Sequence, residues 1–437
     1  MVRLIAKVKA MEVTIYPRPV KGCIRIPASK SHTIRALLIA TLAHGESEII
    51  HPLESADTRS CLEVCRLLGA QITEVKDRWF VKGVSGHPQV PQDVLNTGNS
   101  GTTLYLALSA AALASGYSVF TGDEQIRRRP VDQLLKALRE LGAEAFSTRN
   151  NGLPPVVVRG PIKGGKASLH CPTSQYLSSL LLGCPLAQGT SEIEVLSLNE
   201  RPYIAMTLQW LKEQDIKLEY NANYTRFLIP GHQSFKPFSR EIPADFSSAT
   251  FFACLAAIKK TSLTLVGLDL NDTQGDKAVF EMLKKMGAEV SVCGNQITIT
   301  GRRLQGQVLD LNATPDAVPA LAVTACFAEG CTELVNVAQA RLKETDRLKV
   351  MKTELTKMGA KIEERPDGLV IEGTDLKGCR VNGHSDHRVV MALAIAGLAA
   401  TGPTVIETAE AAKVTFPNFF ELLKSIEQTD NNLNPQA

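Results

Sequence analysis

The sequence predicts an α/β protein of two domains, each assembled from three copies of one unit whose leading helix is buried. Three observations predict it. A helix-ending tetrapeptide returns at a fixed step: LLGA ends at Ala70, ELGA at Ala143, and KMGA at Ala288 and again at Ala360. Its glycine falls at 69, 142, 287 and 359, with Asp215 in the missing place, a step of 72 or 73 residues each time. Six segments that are apolar almost all round recur in phase with it, and a pair of alternating stretches closing on glycine follows each of the five helix ends.

The elements follow in order. A first strand is expected near Glu12–Tyr16, belonging with the second domain, with a chain crossing near Pro19–Ile26. Each unit then opens on an apolar helix: ALLIATLAHG, LYLALSAAALASG, YLSSLLLGCPLAQG, TFFACLAAIKK, AVPALAVTACFAEG and VVMALAIAGLAATG. Helices without a polar face belong in a core. Five of these segments end on Gly45, Gly116, Gly189, Gly330 and Gly402, and Lys260 takes that place in the fourth. A strand such as TSEIEVL or TVIE comes next. An amphipathic helix follows and stops at the repeated glycine, a C-cap where left-handed backbone costs glycine little. Alternation across a turn then reads as a hairpin, closing at Gly83, Gly160, Gly231, Gly301 and Gly373. Three units each make a domain: residues 21–243 form an inserted one, residues 1–20 and 244–437 a discontinuous one, with the junction near Ile242–Phe246.

Bulk properties agree. A chain of 437 residues exceeds what one hydrophobic core holds. Apolar residues at 44% and charged residues at 21% are ordinary for a folded soluble protein. A net charge of +3 is too small for nucleic-acid binding by the whole surface, though it leaves room for a local basic pocket. Met1–Val13 has no uninterrupted apolar stretch, so no secretion signal is read, and no apolar run reaches membrane-spanning length. Ten scattered cysteines suit free thiols in a reducing cytoplasm. Cys61 and Cys65 read as buried thiols, and neither they nor His384 and His387 read as a metal site.

Polar residues gather just before the apolar helices: Ser29, Lys30, Ser31 and Arg35; Asn99, Ser100, Gly101 and Thr102; Thr173, Ser174 and Gln175; Asp245, Ser247 and Ser248; Thr314 and Asp316; Asp386, His387 and Arg388. Capping explains the hydroxyls and carboxylates. It does not explain Lys30, Arg35 and Arg388, because cations at a helix start oppose the helix dipole. Helix N-termini attract anions, so added cations there point to strong anions such as phosphate or carboxylate. Arg129, directly before Pro130 and a helix start, joins this set, whereas Arg127 and Arg128 read as surface. The run RLKETDRLKVM, Arg341–Met351, crowds Lys343, Glu344, Asp346 and Arg347 together. Lys343, Glu344 and Arg347 are expected on one face of a helical turn, with Asp346 structural.

Taken together, SKSHTIRALLIA, GNSGTT, RRRPVDQLLKALRELGA, TSQYLSSLLL, ERPYIAMT, RLKETDRL, SDHRVVMALAIAG and TFPNFF resemble the motifs of the enolpyruvyl transferases, in that family's order, from about Lys21 to Leu423. The resemblance is closer to the branch acting on shikimate 3-phosphate. It implies an inside-out α/β barrel fold: two domains of three βαβαββ units with the helices inside. The implied reaction moves the carboxyvinyl group of phosphoenolpyruvate onto the 5-hydroxyl of shikimate 3-phosphate, adding a proton and an alcohol across the vinyl group and then eliminating phosphate. No cofactor and no metal is implied, and neither is a nucleic-acid or membrane partner; a monomer is expected. By resemblance, Lys30, Ser31, Arg35, Thr173, Ser174, Gln175, Asp316 and Lys343 hold shikimate 3-phosphate. Lys30, Gly101, Arg129, Gln175, Arg347 and Arg388 hold phosphoenolpyruvate. Asp316 resembles the base for the 5-hydroxyl and Glu344 the acid for the methylene carbon, and Lys30 is a further proton-transfer candidate. A carbon acid–base role needs a Glu344 pKa tuned toward working pH.

The chain departs from the pattern at four places. Tyr105 stands where the family usually has Arg, and Glu200 where it commonly has a small hydroxyl residue; neither is given a role. Gln339 stands where some members have Asn, and Lys413 lies one position before a common Lys site that is Val414 here. Gln339, Lys413 and Tyr203 remain candidates without a fixed role. Two rival readings are an acceptor of the UDP-N-acetylsugar type and a non-enzymatic repeat scaffold. No Cys lies between Gly122 and Arg129, against the first; unlike polar residues at equivalent positions argue against the second.

Overall fold

The computed structural model describes residues 11–428, so most of the stretch read as lacking a secretion signal lies outside the described residues. The helices in chain order are α1 (Lys30–Leu42), α2 (Ala56–Leu67), α3 (Gly101–Ala111), α4 (Asp132–Glu140), α5 (Gln175–Gly183), α6 (Arg201–Glu213), α7 (Phe246–Ile258), α8 (Ala278–Met286), α9 (Val318–Cys326), α10 (Arg347–Lys357), α11 (His387–Ala399) and α12 (Phe419–Ser425). The six apolar segments are α1, α3, α5, α7, α9 and α11, and each is buried along nearly its whole length. Helix α3 packs on α1 and α5, while α7, α9 and α11 pack on one another. Each trio organises its own apolar cluster. The amphipathic helices turn one face inward: α4 buries Leu134, Leu135, Ala137 and Leu138.

Six sheets surround the helices. In the second unit, Leu95–Asn96 pairs parallel with Tyr117–Thr121, which pairs antiparallel with the hairpin strand Val156–Arg159, and Glu144–Ser147 lies at the edge. The third and fifth units repeat this order. In the sixth, Val13–Ile15 pairs antiparallel with Thr404–Glu407 in place of a hairpin. The first and fourth units exchange their leading strands. Gly22–Arg25 pairs with Ser262–Val266, and Ser239–Glu241 pairs with Glu46–Ile50. The two connecting segments run antiparallel, with Ser29 N donating to Pro243 O and Asp245 N to Pro27 O, both at 2.8 Å. We propose that the two clusters are the cores of two domains, and that the chain changes over at Pro27–Ser29 and Pro243–Asp245 rather than at residues 20 and 21. The physical reason is the strand exchange: residues 22–25 are bonded into the sheet of the fourth unit.

The repeated glycines have two causes. Gly69, Gly142, Gly287 and Gly359 end helices with φ of +102°, +89°, +112° and +98°, and Asp215 adopts the same left-handed region at 57°. The closing glycines solve a contact problem instead. A Cβ at Gly160 would lie 1.9 Å from Ala112 O, at Gly301 2.3 Å from Ala256 O, and at Gly373 1.9 Å from Ala328 O. The hairpin end therefore sits directly against the C-terminal carbonyls of its own buried helix, and only a residue without a side chain fits.

That close approach makes a prediction. Gly373→Ala should lower stability by about 1–3 kcal/mol, the usual cost of overpacking, read as an earlier thermal or urea midpoint. An unchanged midpoint would show that the hairpin can back away freely.

Candidate active site

The N-terminal ends of five buried helices meet at one cavity. Lys30, Ser31 and Arg35 come from α1, Gly101 and Thr102 from α3, and Ser174 and Gln175 from the start of α5. Asp316, immediately before α9, and Arg388 of α11 come from the other half. Arg129, Glu200, Tyr203, Lys343 and Glu344 complete the lining. The start of α7 does not take part: Ser247 donates to Asp276, which also accepts from Tyr203 Oη at 3.2 Å. The cavity volume is about 40 Å³, room for a few waters at most.

Charge fills the rest of the space. Arg347 is fully buried and is the centre of the network. Its Nε and Nη2 donate to Asp386 at 2.9 and 3.1 Å, its Nη1 to Asp316 at 2.7 Å, and its Nη2 also to Glu344 at 2.5 Å. Arg129 Nη2 reaches Glu344 at 2.8 Å, Arg388 Nη2 reaches Asp316 at 3.1 Å, and Lys30 Nζ reaches Asp57 at 3.1 Å. Burial alone would raise the Asp316 and Glu344 pKa values. The cations Arg388, Lys343 and Arg347 for Asp316, and Arg129 and Arg347 for Glu344, outweigh it and hold both well below the carboxylate range. Glu344 therefore does not sit near working pH in this arrangement, contrary to the expectation for a proton donor. His387, between Glu344 and Arg388, is pushed by burial down to about 3 and stays neutral.

Arg35 differs from its neighbours. It is 1% exposed, and its bonds go to the neutral acceptors Thr207 Oγ1 at 2.9 Å, Ser31 O at 3.1 Å, Tyr203 O at 3.3 Å and Ser178 Oγ at 3.4 Å. Burial lowers its pKa to about 10, so it remains cationic. Its guanidinium meets no carboxylate within ion-pair distance among the described residues, and a buried charge without a counter-charge is costly.

Gly101 is required by position. A Cβ there would stand 2.1 Å from Arg129 Nη1, so any side chain would displace the guanidinium. Thr173 lies just behind the cavity, beside Tyr105, Tyr176, Gln339 and Lys343. Gln339 itself donates to Asn312 O at 3.0 Å. Lys413 is exposed and does not line the cavity. Lys343, Glu344 and Arg347 do converge, but not on a helical turn. Helix α10 begins at Arg347, and the residues before it form an irregular bend after a short 3-10 turn. Asp346 is structural as expected: it caps α10 by accepting from Lys349 N at 3.1 Å and pairs with Arg341 at 2.8 Å.

Four acidic residues and a histidine carry no assignment from the sequence: Asp57, Glu200, Asp276, Asp386 and His387. Asp386 and His387 are visible in SDHR, but capping accounts for the first and the second reads only as no metal site. Asp57 carries no signal, because it caps nothing and reaches Lys30 only through the packing of α2 on α1.

Fold and site together define an enolpyruvyl-transferase type of protein. More particularly, the model of the family described as EPSP synthase (3-phosphoshikimate 1-carboxyvinyltransferase) matches residues 15–423, and the chain belongs to that family. A 3-phosphoshikimate 1-carboxyvinyltransferase of Acetivibrio thermocellus is 56% identical over 92% of this chain and 95% of the relative. One of Ruminiclostridium cellulolyticum is 52% identical over 95% and 98%. A solved EPSP synthase of Acinetobacter baumannii superimposes with a TM-score of 0.79 at 29% identity, covering 96% of this chain and 98% of that one. The six-unit α/β architecture expected from the repeats is thus the family's fold.

The network can be tested without substrate. Arg347→Met would leave Asp386 without its cation and take one guanidinium from each of Asp316 and Glu344, lowering stability at pH 7 by about 3–5 kcal/mol. Because those pKa values are depressed in the folded chain, the stabilisation is present above the ordinary carboxylate range and is lost as pH falls. The deficit of the variant should therefore shrink below about pH 4 in thermal melts. A pH-independent deficit would mean that lost packing, not charge, is responsible.

Proposed function

We propose that this chain transfers the 1-carboxyvinyl group of phosphoenolpyruvate to the 5-hydroxyl of shikimate 3-phosphate, releasing phosphate through a tetrahedral intermediate. The observation that carries the reading is the convergence of six cations, Lys30, Arg35, Arg129, Lys343, Arg347 and Arg388, on one cavity and its wall from both halves. The relatives' shared name supports the same substrates. Two multiply anionic reactants repel each other, and such a field offsets the repulsion while orienting them, an effect that lowers barriers by about 7–11 kcal/mol.

Each cation except Arg35 already holds a carboxylate, so binding proceeds by exchange. The carboxylate and phosphate of phosphoenolpyruvate take Arg129, Arg347 and Arg388, and Glu344 and Asp316 lose their partners. Burial then acts on Glu344 against less opposition and raises its pKa, making it a competent donor to the methylene carbon. Asp316, released from Arg388, takes the proton of the 5-hydroxyl as its oxygen bonds to C2. In the second step a methyl proton returns to the protein as the bond to phosphate breaks. In this reading Lys30, held by Asp57 at 3.1 Å, shuttles protons. Ser31, Arg35, Thr173, Ser174, Gln175, Asp316 and Lys343 hold the acceptor; Gly101 and Gln175 complete the phosphoenolpyruvate side. Tyr203 and Gln339 serve as packing around the site. The small cavity requires the halves to part for entry and to close for reaction. The protein acts as a cytoplasmic monomer, since one chain supplies both halves of the site.

Phosphate release from phosphoenolpyruvate should require shikimate 3-phosphate and fail with a UDP-N-acetylsugar; the reverse preference would refute the reading. Glu344→Gln and Lys30→Ala, folded by circular dichroism, should each lose about 10²–10⁴-fold in turnover, the span of general acid–base contributions. Near-normal turnover in either removes that residue from the mechanism.

A further inference from the structure

One anion seat in the cleft is occupied by the protein itself. Glu200 lies directly before α6 with left-handed backbone, φ 57° and ψ 41°, and is 2% exposed. Its Oε2 accepts from Thr173 Oγ1 at 2.8 Å, Ser174 N at 3.1 Å and Ser174 Oγ at 3.0 Å. Its Oε1 accepts from Lys343 Nζ at 2.5 Å. Four donors, one of them a cation and one a backbone N–H at the start of α5, converge on two oxygens. That is the donor set a phosphate group draws. Thr173, Ser174 and Lys343 are also three of the residues that hold the phosphorylated acceptor in the proposed function, so the inference rests on that reading. Burial opposes the charge of Lys343, but Glu200 and Asp316 outweigh it and raise its pKa, so the ammonium keeps its charge.

We infer that Glu200 is a resident anion that sets acceptor specificity. A phosphorylated acceptor must drive the Glu200 carboxylate off all four donors, and the displaced negative charge then stays beside the incoming phosphate. An acceptor with a plain hydroxyl at that position meets neither cost, because it can bond to the seat's edge while Glu200 remains in place. By the resemblance, a small hydroxyl residue commonly stands at this position and would offer a donor; here Glu200 fills the seat with a carboxylate. The consequence is a weakened preference for the phosphorylated over the unphosphorylated acceptor, built into one side chain.

The test is calorimetric titration of the full chain, without phosphoenolpyruvate, with shikimate 3-phosphate and separately with shikimate. Glu200→Ser should bind shikimate 3-phosphate at least about tenfold more tightly than the natural chain, the scale of one new charge-assisted hydrogen bond together with the relief of one repulsion. Shikimate affinity should move by less than about threefold. Glu200→Gln keeps the shape, removes the charge and replaces one of the two accepting oxygens with a donating amide, and should move the same way by a smaller factor, even where the serine variant folds poorly. Unchanged or weaker binding of shikimate 3-phosphate in both variants overturns the inference. So does equal tightening toward both acceptors, which a merely loosened structure would give, and so does absence of shikimate 3-phosphate binding in every form. Phosphate release separates the two readings. Transfer by the natural chain with no affinity change in the variants sinks the role of Glu200 alone. Tightened binding with no transfer by any form sinks the transfer reading alone.

Discussion

A cation taken out of water must find an anion, and that requirement organises this molecule. Arg347 is fully buried and would be prohibitive alone. Asp316, Glu344 and Asp386 make it tolerable, and each of the first two is shared with another guanidinium. With these pairs made, the cavity between them is only about 40 Å³. In the proposed reaction the same pairs are what the anionic reactants replace, which would make the resting network and the binding site one set of atoms in two arrangements.

The fold supplies the convergence. A helix that is apolar all round can only be placed inside, so its side offers no polar surface and function is confined to its ends. Five such ends open on one cavity, and each brings free backbone N–H groups and a favourable dipole. Repetition gives the scaffold, and divergence at the tips lets each unit contribute something different. One supplies a lysine, another a glycine that makes room for Arg129, and a third an aspartate. The exchanged strands Gly22–Arg25 and Ser239–Glu241 tie the halves by two adjacent antiparallel segments. His32 adds a further tie. Trp210 Nε1 donates to its Nδ1 at 3.0 Å, so the ring proton lies on Nε2, facing Asp272 Oδ1 at 3.1 Å across the two halves.

Much of this is legible in the sequence, for identifiable reasons. Period and apolarity are local properties, and they locate the six core helices, the helix-end glycines and even Asp215 as their substitute. The cations at helix starts are legible because they violate a local preference. The closing glycines are legible as a repeat, but not their cause, since the carbonyls of Ala112 and Ala328 that exclude a side chain are distant in sequence. The helical turn expected for Lys343–Arg347 fails because tertiary bonds to Glu200, Arg129 and Asp316 pull that segment open.

The sequence by itself determined the unit, its number, the buried helices and the identity of the residues at their tips, because each is written in spacing and in hydrophobicity over a few tens of residues. Tertiary structure alone decided which charges meet. It paired Arg129 with Glu344 and Lys343 with Glu200, gave Arg35 no carboxylate partner among the described residues, and exchanged two strands between the halves. Those outcomes depend on distances between residues as far as 241 positions apart, from Gly22 to Leu263, and electrostatic energy follows separation in space, which no local pattern encodes.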